Sequence, residues 1–417
     1  MNTPNTKKSR FLTILTLGLL SAIGPFSIDM YLPSFKEIAA SMDTSISQVT
    51  LSLSSYFIGI SIGQLIYGPL LDRYGRKIPL YIGMLLYLVT SIYCAFIVDV
   101  ESLIIARFLQ ALGGCAGMVS ARALVRDIFP VEENAKIFSL LMLVIAISPI
   151  LAPSLGGYIS STLGWEAIFI SLALIALLVL TAMYFWLPDG NPPNKELSLM
   201  PKPIIKEFLA VAKVPKFYTY ALTGAIASSG LYSYIAGSPY VFMEIYEVSE
   251  KQYGWIFAII SIGLITASQL NTLLLKKYSS EQITLVVLTC QVIVGIALVL
   301  LTYFNMLNLY STIALIWLYL ATQGFVFPNT SALALAPFSI NAGTASALMG
   351  AVQLGIGAMA TALVSALSNN TALPMTGVML LCGSTAFIVL LFGSRIIRKK
   401  EMKNNFSTIN SSYNITD

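Results

Sequence analysis

The sequence contains no histidine and few charged residues, and both shortages exclude classes of function. Histidine is the commonest general base and metal ligand in proteins. Four cysteines, Cys94, Cys115, Cys290 and Cys382, all lie in apolar runs without a C-x-x-C pair, so neither a disulfide framework nor a zinc site is expected. No nucleophile and base stand together in the sequence. We therefore predict that the chain is not an enzyme and holds no metal or organic cofactor.

The shortage of charged residues also indicates that the chain is surrounded by lipid rather than by water. Only 10% of the 417 residues are charged and 57% are apolar, whereas soluble domains carry roughly 25% charged residues. The mean hydropathy is +0.80. Because a span takes about 20 residues, a chain of this length accommodates about a dozen membrane helices and no large soluble domain.

Apolar windows of about 20 residues predict twelve transmembrane helices and hence an all-α membrane protein. The predicted spans are residues 11–32, 48–70, 79–98, 102–125, 136–158, 165–187, 217–242, 252–275, 283–304, 310–330, 343–367 and 375–397.

A polar segment in the middle of the chain divides these spans into two groups of six. It runs from Pro188 to Lys216 and contains six prolines among lysines and glutamates, a composition typical of a linker. Two six-helix bundles joined in this way are typical of transporters built from repeats. The predicted units are an N-terminus (1–10), a first bundle (11–187), a linker (188–216), a second bundle (217–397) and a disordered tail (398–417).

Basic residues indicate the orientation. They cluster in alternate loops, and the opposite loops hold almost only Lys36 and Lys251. The positive-inside rule then places both termini, the linker and the tail in the cytoplasm, which requires an even number of spans. The net charge of +5 is explained by topology, so no nucleic-acid partner is expected.

Two ionisable side chains fall inside predicted spans at a similar depth. Asp29 is in the first span and Arg107 in the fourth, each about three to five residues, or roughly 5–8 Å, from the predicted outer end. We expect them to pair. A carboxylate in a low-dielectric cavity beside a guanidinium experiences opposing effects on its pKa and can titrate as the cavity opens and closes. Pro25 and Pro33 flank Asp29 and are expected to loosen the helix. Alternatively, Asp29 faces outer water and Arg107 snorkels or joins two helices.

Six further residues are candidates to line a central cavity. They are Tyr31, Tyr56, Gln110, Tyr232, Tyr234 and Gln353. Taken singly, each is better explained by helix packing or by an interfacial aromatic belt. Taken together, they favour a mixed aromatic wall that suits an apolar or amphipathic solute more than a sugar or a polyanion.

The loop between the second and third spans carries the most specific pattern. Its sequence is GPLLDRYGRKIPL, and a basic turn that only fixes topology does not explain its aspartate and two glycines. It resembles the signature of the major facilitator superfamily, matched by Gly68, Leu70, Asp72, Arg73, Gly75, Arg76 and Lys77. The resemblance implies a cytoplasmic gate in which Asp72 docks at the start of the eleventh span, near Gly343, and pairs with Arg126. Arg126 and Asp127 resemble the family's acid-base pair at the end of the fourth span.

Two more segments fit the same family. Residues 107–114 resemble its fourth-span motif with a buried arginine, and residues 152–157 resemble its antiporter motif G-P-x-x-G-G through Pro153, Gly156 and Gly157. Ala152 replaces the usual first glycine. The equivalent loop of the second half, at residues 276–278, lacks the aspartate, so a second gate of this kind is expected to be degenerate.

Finer similarity points to the bicyclomycin and chloramphenicol resistance branch of drug:proton antiporters. It is carried by residues 27–35, 122–129, 237–246, 327–338 and 342–358. The resemblance implies a monomeric carrier of the bacterial inner membrane that exports drug-like solutes by alternating access, driven by the proton gradient, with Asp29 and Arg107 coupling proton to solute. Glu166 departs from the branch, where a basic residue is more usual, and could alter the outer gate or the ligand preference.

Two other functions stay open at this point. The same fold could carry an endogenous compound, such as a siderophore or a metabolite, in either direction. A membrane receptor or sensor is the second alternative, but it predicts a soluble ligand-binding domain, for which the chain has no room, and no dependence on Asp29.

Overall fold

The computed structural model describes residues 7–194, 201–338 and 342–413, and these residues form helices and connecting turns without a β-strand. Residues 195–200 of the predicted linker lie outside the described residues. The α-helices are α1 (Lys7–Asp29), α2 (Phe35–Ser41), α3 (Ile46–Tyr74), α4 (Lys77–Cys94), α5 (Val100–Ile128), α6 (Val131–Leu163), α7 (Glu166–Trp186), α8 (Pro201–Ala212), α9 (Pro215–Pro239), α10 (Glu250–Leu274), α11 (Ser280–Tyr303), α12 (Leu309–Leu335), α13 (Ala342–Ala366) and α14 (Leu373–Tyr413).

Every predicted span coincides with one of these helices. Within the described residues, eleven helical segments are long and apolar enough to cross a membrane. The remaining predicted span, the seventh, is α9, which is rich in serine, threonine, glycine and tyrosine and is largely buried against other helices. Its composition reflects this position, because a helix that faces other helices gains from small and polar residues that allow close packing.

Local sequence signals fix many of the helix ends. Ser249 with Gln252 and Ser279 with Gln282 form capping boxes at the starts of α10 and α11. At the inner end of α3, Gly75 takes a φ of +79°, a conformation that side-chain-bearing residues rarely adopt, so the chain turns sharply into α4.

Three predicted boundaries differ from the structure. The linker contains a helix, α8, and α14 continues to Tyr413 into the segment predicted as a disordered tail. The first span breaks at Asp29 and resumes through a short 3₁₀ turn, Leu32–Ser34, into α2, which ends at Ser41. Pro33 lies in that turn, where it lacks the N–H that an α-helix requires. Asp29 therefore lies at an internal break rather than near the outer end of the span.

The two bundles repeat one packing scheme. In the first bundle α1 packs on α5, α6 and α7, and α5 packs on α3 and α4. In the second bundle α9 packs on α12, α13 and α14, and α12 packs on α10 and α11. The correspondence follows chain order, as expected for a duplicated six-helix unit.

The bundles meet along two helix pairs, α3 with α13 and α6 with α10. On one side of the molecule, termed the outer side, this interface is closed. Lys36 and Glu244 form an ion pair of 3.1 Å between the bundles, and the hydroxyls of Ser54 and Thr361 are hydrogen-bonded at 2.6 Å. The opposite side, termed the inner side, carries the α3–α4 loop and α8, and there a cavity separates the bundles. The conformation is closed outside and open inside.

Candidate functional site

Arg107 is completely buried in the first bundle and holds α5 to α1. Its side chain has 0% exposure. Nη2 donates a hydrogen bond of 2.7 Å to the carbonyl oxygen of Ser27, and Nη1 donates one of 2.5 Å to Oε1 of Gln110. Gln110 in turn donates to the hydroxyl of Ser91 on α4. These bonds fix the guanidinium relative to three helices.

Aromatic rings complete the surroundings of Arg107. Its guanidinium carbon lies 4.3 Å from the ring centroid of Tyr31, 4.2 Å from that of Tyr56 and 5.8 Å from that of Phe169. A desolvated cation–π contact contributes about 2 kcal/mol. Among the described residues no carboxylate forms an ion pair with Arg107, so aromatic faces and neutral oxygens stabilise this buried cation.

Asp29 does not pair with Arg107 in this conformation, and the predicted pair is wrong here. Arg107 binds the backbone at Ser27, and on an α-helix a residue two positions later projects about 200° away. The Asp29 carboxylate instead lies near the phenols of Tyr232, Tyr234 and Tyr253 in the second bundle. It is 4% exposed, and among the described residues no side chain donates a hydrogen bond to it. A buried carboxylate with so few partners is costly in its charged form.

The antiporter motif closes the outer side immediately beside Asp29. Gly156 on α6 packs directly against the carbonyl of Met30, so closely that a Cβ atom there would overlap it. A Cβ at Gly157 would lie 2.5 Å from the carbonyl oxygen of Glu250 in the second bundle. From the other side, a Cβ at Gly254 would lie 3.0 Å from the carbonyl oxygen of Pro153. The outer seal is therefore a backbone-to-backbone contact that only glycine permits.

The six predicted cavity residues lie in the region between the outer seal and the inner cavity, termed the centre. Tyr31, Tyr56 and Gln110 contact Arg107, as described above. In the second bundle, Tyr232 packs against Gly357 of α13, the helix that carries the half-buried Gln353, and Tyr234 packs on Phe257 with ring centroids 5.5 Å apart. The hydroxyls of Tyr56 and Tyr234 are buried without a hydrogen-bond partner among the described residues.

A constriction separates this centre from the inner cavity. The rings of Phe57 and Tyr232 lie 4.7 Å apart across the bundles. One turn further inward, the hydroxyl of Ser61 donates a 2.7 Å hydrogen bond to the carbonyl of Ala351, and beyond it the side chain of Gln64 lies directly against Gly350. Phe57, Ser61 and Gln64 therefore hold the two bundles together between the centre and the inner cavity.

The inner cavity, termed the vestibule, has a volume of about 520 Å³, within the range of cavities that hold drug-sized ligands. None of the six predicted cavity residues lines it, as far as the described residues show. Its walls come from the inner ends of α3, α5, α8 and α13; the charged residues among them are Asp72, Arg76, Arg122, Arg126, Asp127 and Glu207.

The predicted gate loop is folded within the first bundle. Arg76 donates to Asp72 and to Asp127, each at 2.6 Å. Burial disfavours the charged form of Arg76, but the hydrogen bonds and charges of Asp127 and Asp72 outweigh it and raise its pKa. Asn191 also donates to Asp127, and Lys77 forms a 2.7 Å ion pair with Asp189, so the segment after α7 is tied to the loop.

The predicted pair of Asp72 with Arg126 is absent from this conformation. The guanidinium of Arg126 lies 6.0 Å from the ring centroid of Phe138, and Asp72 binds Arg76. A Cβ at Gly68 or Gly343 would find no atom within 4 Å. The open vestibule lies between the two glycines, which is the physical reason why Asp72 does not reach the start of α13. Arg73 lies in the last turn of α3, beside the same loop.

The vestibule residues that sequence reasoning missed include Gln64, Arg122 and Glu207. The sequence did indicate the helix that carries Glu207. Ile204, Phe208 and Val211 recur at helical spacing within the linker and predict an amphipathic helix. The prolines around it favoured the linker interpretation instead. Glu166, the departure noted above, is the first residue of α7, where a negative charge suits the helix N-terminus.

Comparison with known proteins agrees with this architecture. The family model described as Major Facilitator Superfamily matches residues 17–362. An uncharacterised MFS-type transporter of Bacillus subtilis is 34% identical, with 92% of this chain and 96% of that protein covered. A bicyclomycin resistance protein homolog of Haemophilus influenzae is 32% identical, covering 91% and 95%. A chloramphenicol resistance protein of Pseudomonas aeruginosa is 30% identical, covering 91% and 89%.

A solved structure shows the same fold. It is a bacterial homolog of the human lysosomal transporter Spinster, with a TM-score of 0.71, 16% identity and coverage of 94% of this chain and 98% of that one. At this identity the likeness concerns the fold alone.

Proposed function

Because this chain belongs to the major facilitator superfamily, we propose that it exports amphipathic, drug-like solutes in exchange for protons. It is a multi-pass transport protein of the bacterial inner membrane, and proteins of its family move small solutes. The names of the bicyclomycin and chloramphenicol resistance relatives support drugs as the cargo. The carrier needs no cofactor and catalyses no covalent reaction, because the proton gradient supplies the energy.

One observation supports proton coupling above the others. The first span breaks at a buried carboxylate, Asp29, which lies where the outer seal, the Arg107 cluster and the second bundle meet. A carboxylate with few partners at the junction of two moving bundles changes its surroundings whenever the bundles move. Its affinity for a proton therefore depends on which side is open.

The proposed transport cycle follows from this dependence of the proton affinity of Asp29 on the conformation. When the outer side is open, a proton from outside binds the Asp29 carboxylate, neutralises it and displaces the solute. The neutral side chain tolerates the closed centre, so the outer seal at Gly157 forms and the inner side opens. Solute then enters from the vestibule, and the proton leaves Asp29 to the cytoplasm. The carrier with bound solute then closes on the inner side and opens on the outer side. Each charge moved inward yields about 2.3 kcal/mol per 100 mV.

Arg107 acts as a positioning residue in this scheme. It holds the carbonyl of Ser27 two residues before Asp29 and the ring of Tyr31 two residues after it. The break in the span is thereby fixed from both sides, and Asp29 keeps a defined position when the bundles separate. The carrier is proposed to work as a monomer, since both bundles and the whole vestibule come from one chain.

An efflux assay tests the proposed function. Wild-type protein in an efflux-deficient bacterium should lower the accumulation of some members of a panel of cationic, neutral and zwitterionic drugs that includes chloramphenicol. A protonophore should restore accumulation, because the gradient is the energy source. If no drug of the panel is exported at verified expression, drug export is the wrong function and the cargo is an endogenous compound. Export that resists the protonophore would instead exclude proton coupling.

A further inference from the structure

The charges around the vestibule are divided unequally between its walls. Five charged residues of the lining, Asp72, Arg76, Arg122, Arg126 and Asp127, belong to the first bundle. The opposite wall in α13 contributes Gly343, Thr344, Ser346 and Ala347, which carry no charge. Of the described residues that line the vestibule, Glu207 on α8 is the one charge that faces the first bundle from the other side.

Helix α8 is attached to the second bundle. Val211, near its end, is 2% exposed and belongs to the same apolar cluster as Phe217 and Ala221 of α9. The helix also packs on α13. When the two bundles rotate relative to each other, Glu207 therefore moves with the second bundle, whereas Arg122 and Arg126 move with the first.

Closing the vestibule would bury unpaired positive charge on the first bundle. Arg76 is paired with both Asp72 and Asp127, but Arg122 and Arg126 form no ion pair with any described residue. Both are exposed to the open vestibule, where water solvates them. Closure removes that water, and an arginine buried without a counter-charge is strongly destabilising. Asp72, which is bound to Arg76, supplies one carboxylate at most for the two arginines.

We propose that Glu207 binds Arg122 when the vestibule closes, so that the linker helix acts as an inner latch of the carrier. The inference rests on the proposed function only in requiring alternation between two conformations. The latch is the inner counterpart of the Lys36–Glu244 ion pair, which joins the bundles on the outer side in the present conformation. One pair breaks as the other forms. The water-filled vestibule screens the charges while it is open, and closure lowers the local dielectric and strengthens their attraction.

This latch also explains a feature of the second half. Its loop at residues 276–278 lacks the aspartate that the first-half loop carries. A carboxylate on the second-bundle side of the inner gate is then supplied by the linker instead. Glu207 lies on the face of α8 that lines the vestibule, while Lys206 is exposed and does not line it.

Cross-linking tests the latch without any transported drug. Glu207→Cys combined with Arg122→Cys is treated with a short thiol-to-thiol reagent in membrane vesicles. The measurement is made once in the otherwise native chain and once with Gly157→Val, which prevents outer closure and so favours the inside-closed state. We expect the cross-linked fraction to rise severalfold in the Gly157→Val background. Lys206→Cys with Arg122→Cys is the matched control and should not show the rise.

Charge reversal provides an independent readout. A cysteine at Gln64→Cys, at the end of the vestibule nearest the centre, is labelled from the inner side with a thiol reagent, and the extent of labelling measures how open the vestibule is. Glu207→Arg should increase labelling, and adding Arg122→Glu should return it to the starting value, because the swapped pair attracts again. Equal cross-linking in both backgrounds, or a swap that fails to restore the labelling, would overturn the latch. Neither result depends on drug export, so a failure of the proposed function remains distinguishable.

Discussion

Asp29→Asn should reduce proton-driven efflux to background, a loss on the order of 100-fold if the carboxylate carries the coupled proton. Asparagine has almost the same shape, so the break at the end of α1 and the packing of Met30 on Gly156 should persist. What disappears is the group that can alternate between a charged and a neutral form. A carrier without that group can still bind solute, but the proton gradient no longer drives its exchange.

The measurement compares efflux of an exported drug in cells with wild type and Asp29→Asn at matched expression. Glu101→Gln is the control, because Glu101 is an exposed acidic residue in the first turn of α5, away from the centre. Drug binding to the purified variant should remain measurable, which separates lost coupling from lost folding. Proton-driven efflux that survives in Asp29→Asn would rule out Asp29 as the coupling group.

Gly157→Val should abolish transport by holding the outer side open. Even a Cβ at this position would lie 2.5 Å from the carbonyl oxygen of Glu250, and both atoms belong to or adjoin helix backbone that cannot shift locally. The closed interface between α6 and α10 would have to separate. Since overpacking of this kind costs about 1–3 kcal/mol, the ratio of the inside-open to the outside-open conformation should fall by about tenfold.

Labelling from the outside measures this change. Ser54→Cys reports the outer gate, because Ser54 is 4% exposed and hydrogen-bonded to Thr361 across the interface. Its reaction with a membrane-impermeant maleimide should rise at least severalfold in Gly157→Val. Gly377→Val is the matched control, because a Cβ at Gly377 meets no atom within 4 Å. Gly254→Val, on the facing helix, should reproduce the effect. Unchanged labelling in both interface variants would exclude backbone contact as the outer seal.

The positions of the spans could be predicted from the sequence because lipid imposes one strong rule. A helix that crosses the membrane needs about 20 apolar residues, and eleven spans satisfy the rule in the structure. The exception, α9, was located from the same kind of apolar window, although many of its residues are suited to helix packing. The prolines around Asp29 predicted a loosened helix, but neither the break at Asp29 nor the continuation into α2 was predicted, because the segment after Pro33 is short and carries Lys36 and Glu37, which resembles a loop.

The contacts of the site were less predictable, for geometric reasons. Depth along the membrane suggested that Asp29 and Arg107 would pair. Depth does not indicate, however, which face of α1 carries the Asp29 side chain or which face Arg107 contacts. Arg107 reaches the backbone at Ser27, and Asp29 faces the second bundle. The predicted pair of Asp72 with Arg126 is absent from this conformation, and a sequence that must support two conformations does not indicate which one a structure shows.

Proton release on drug binding tests the central claim most directly. Purified wild-type protein in weakly buffered solution, with a pH indicator, receives a drug that the efflux assay identifies as cargo. Exchange of solute for a proton at Asp29 predicts that drug binding acidifies the solution, and that Asp29→Asn binds the drug without this release. Binding by the wild-type protein with no change in pH, or equal release from Asp29→Asn, would contradict proton-coupled export through this residue.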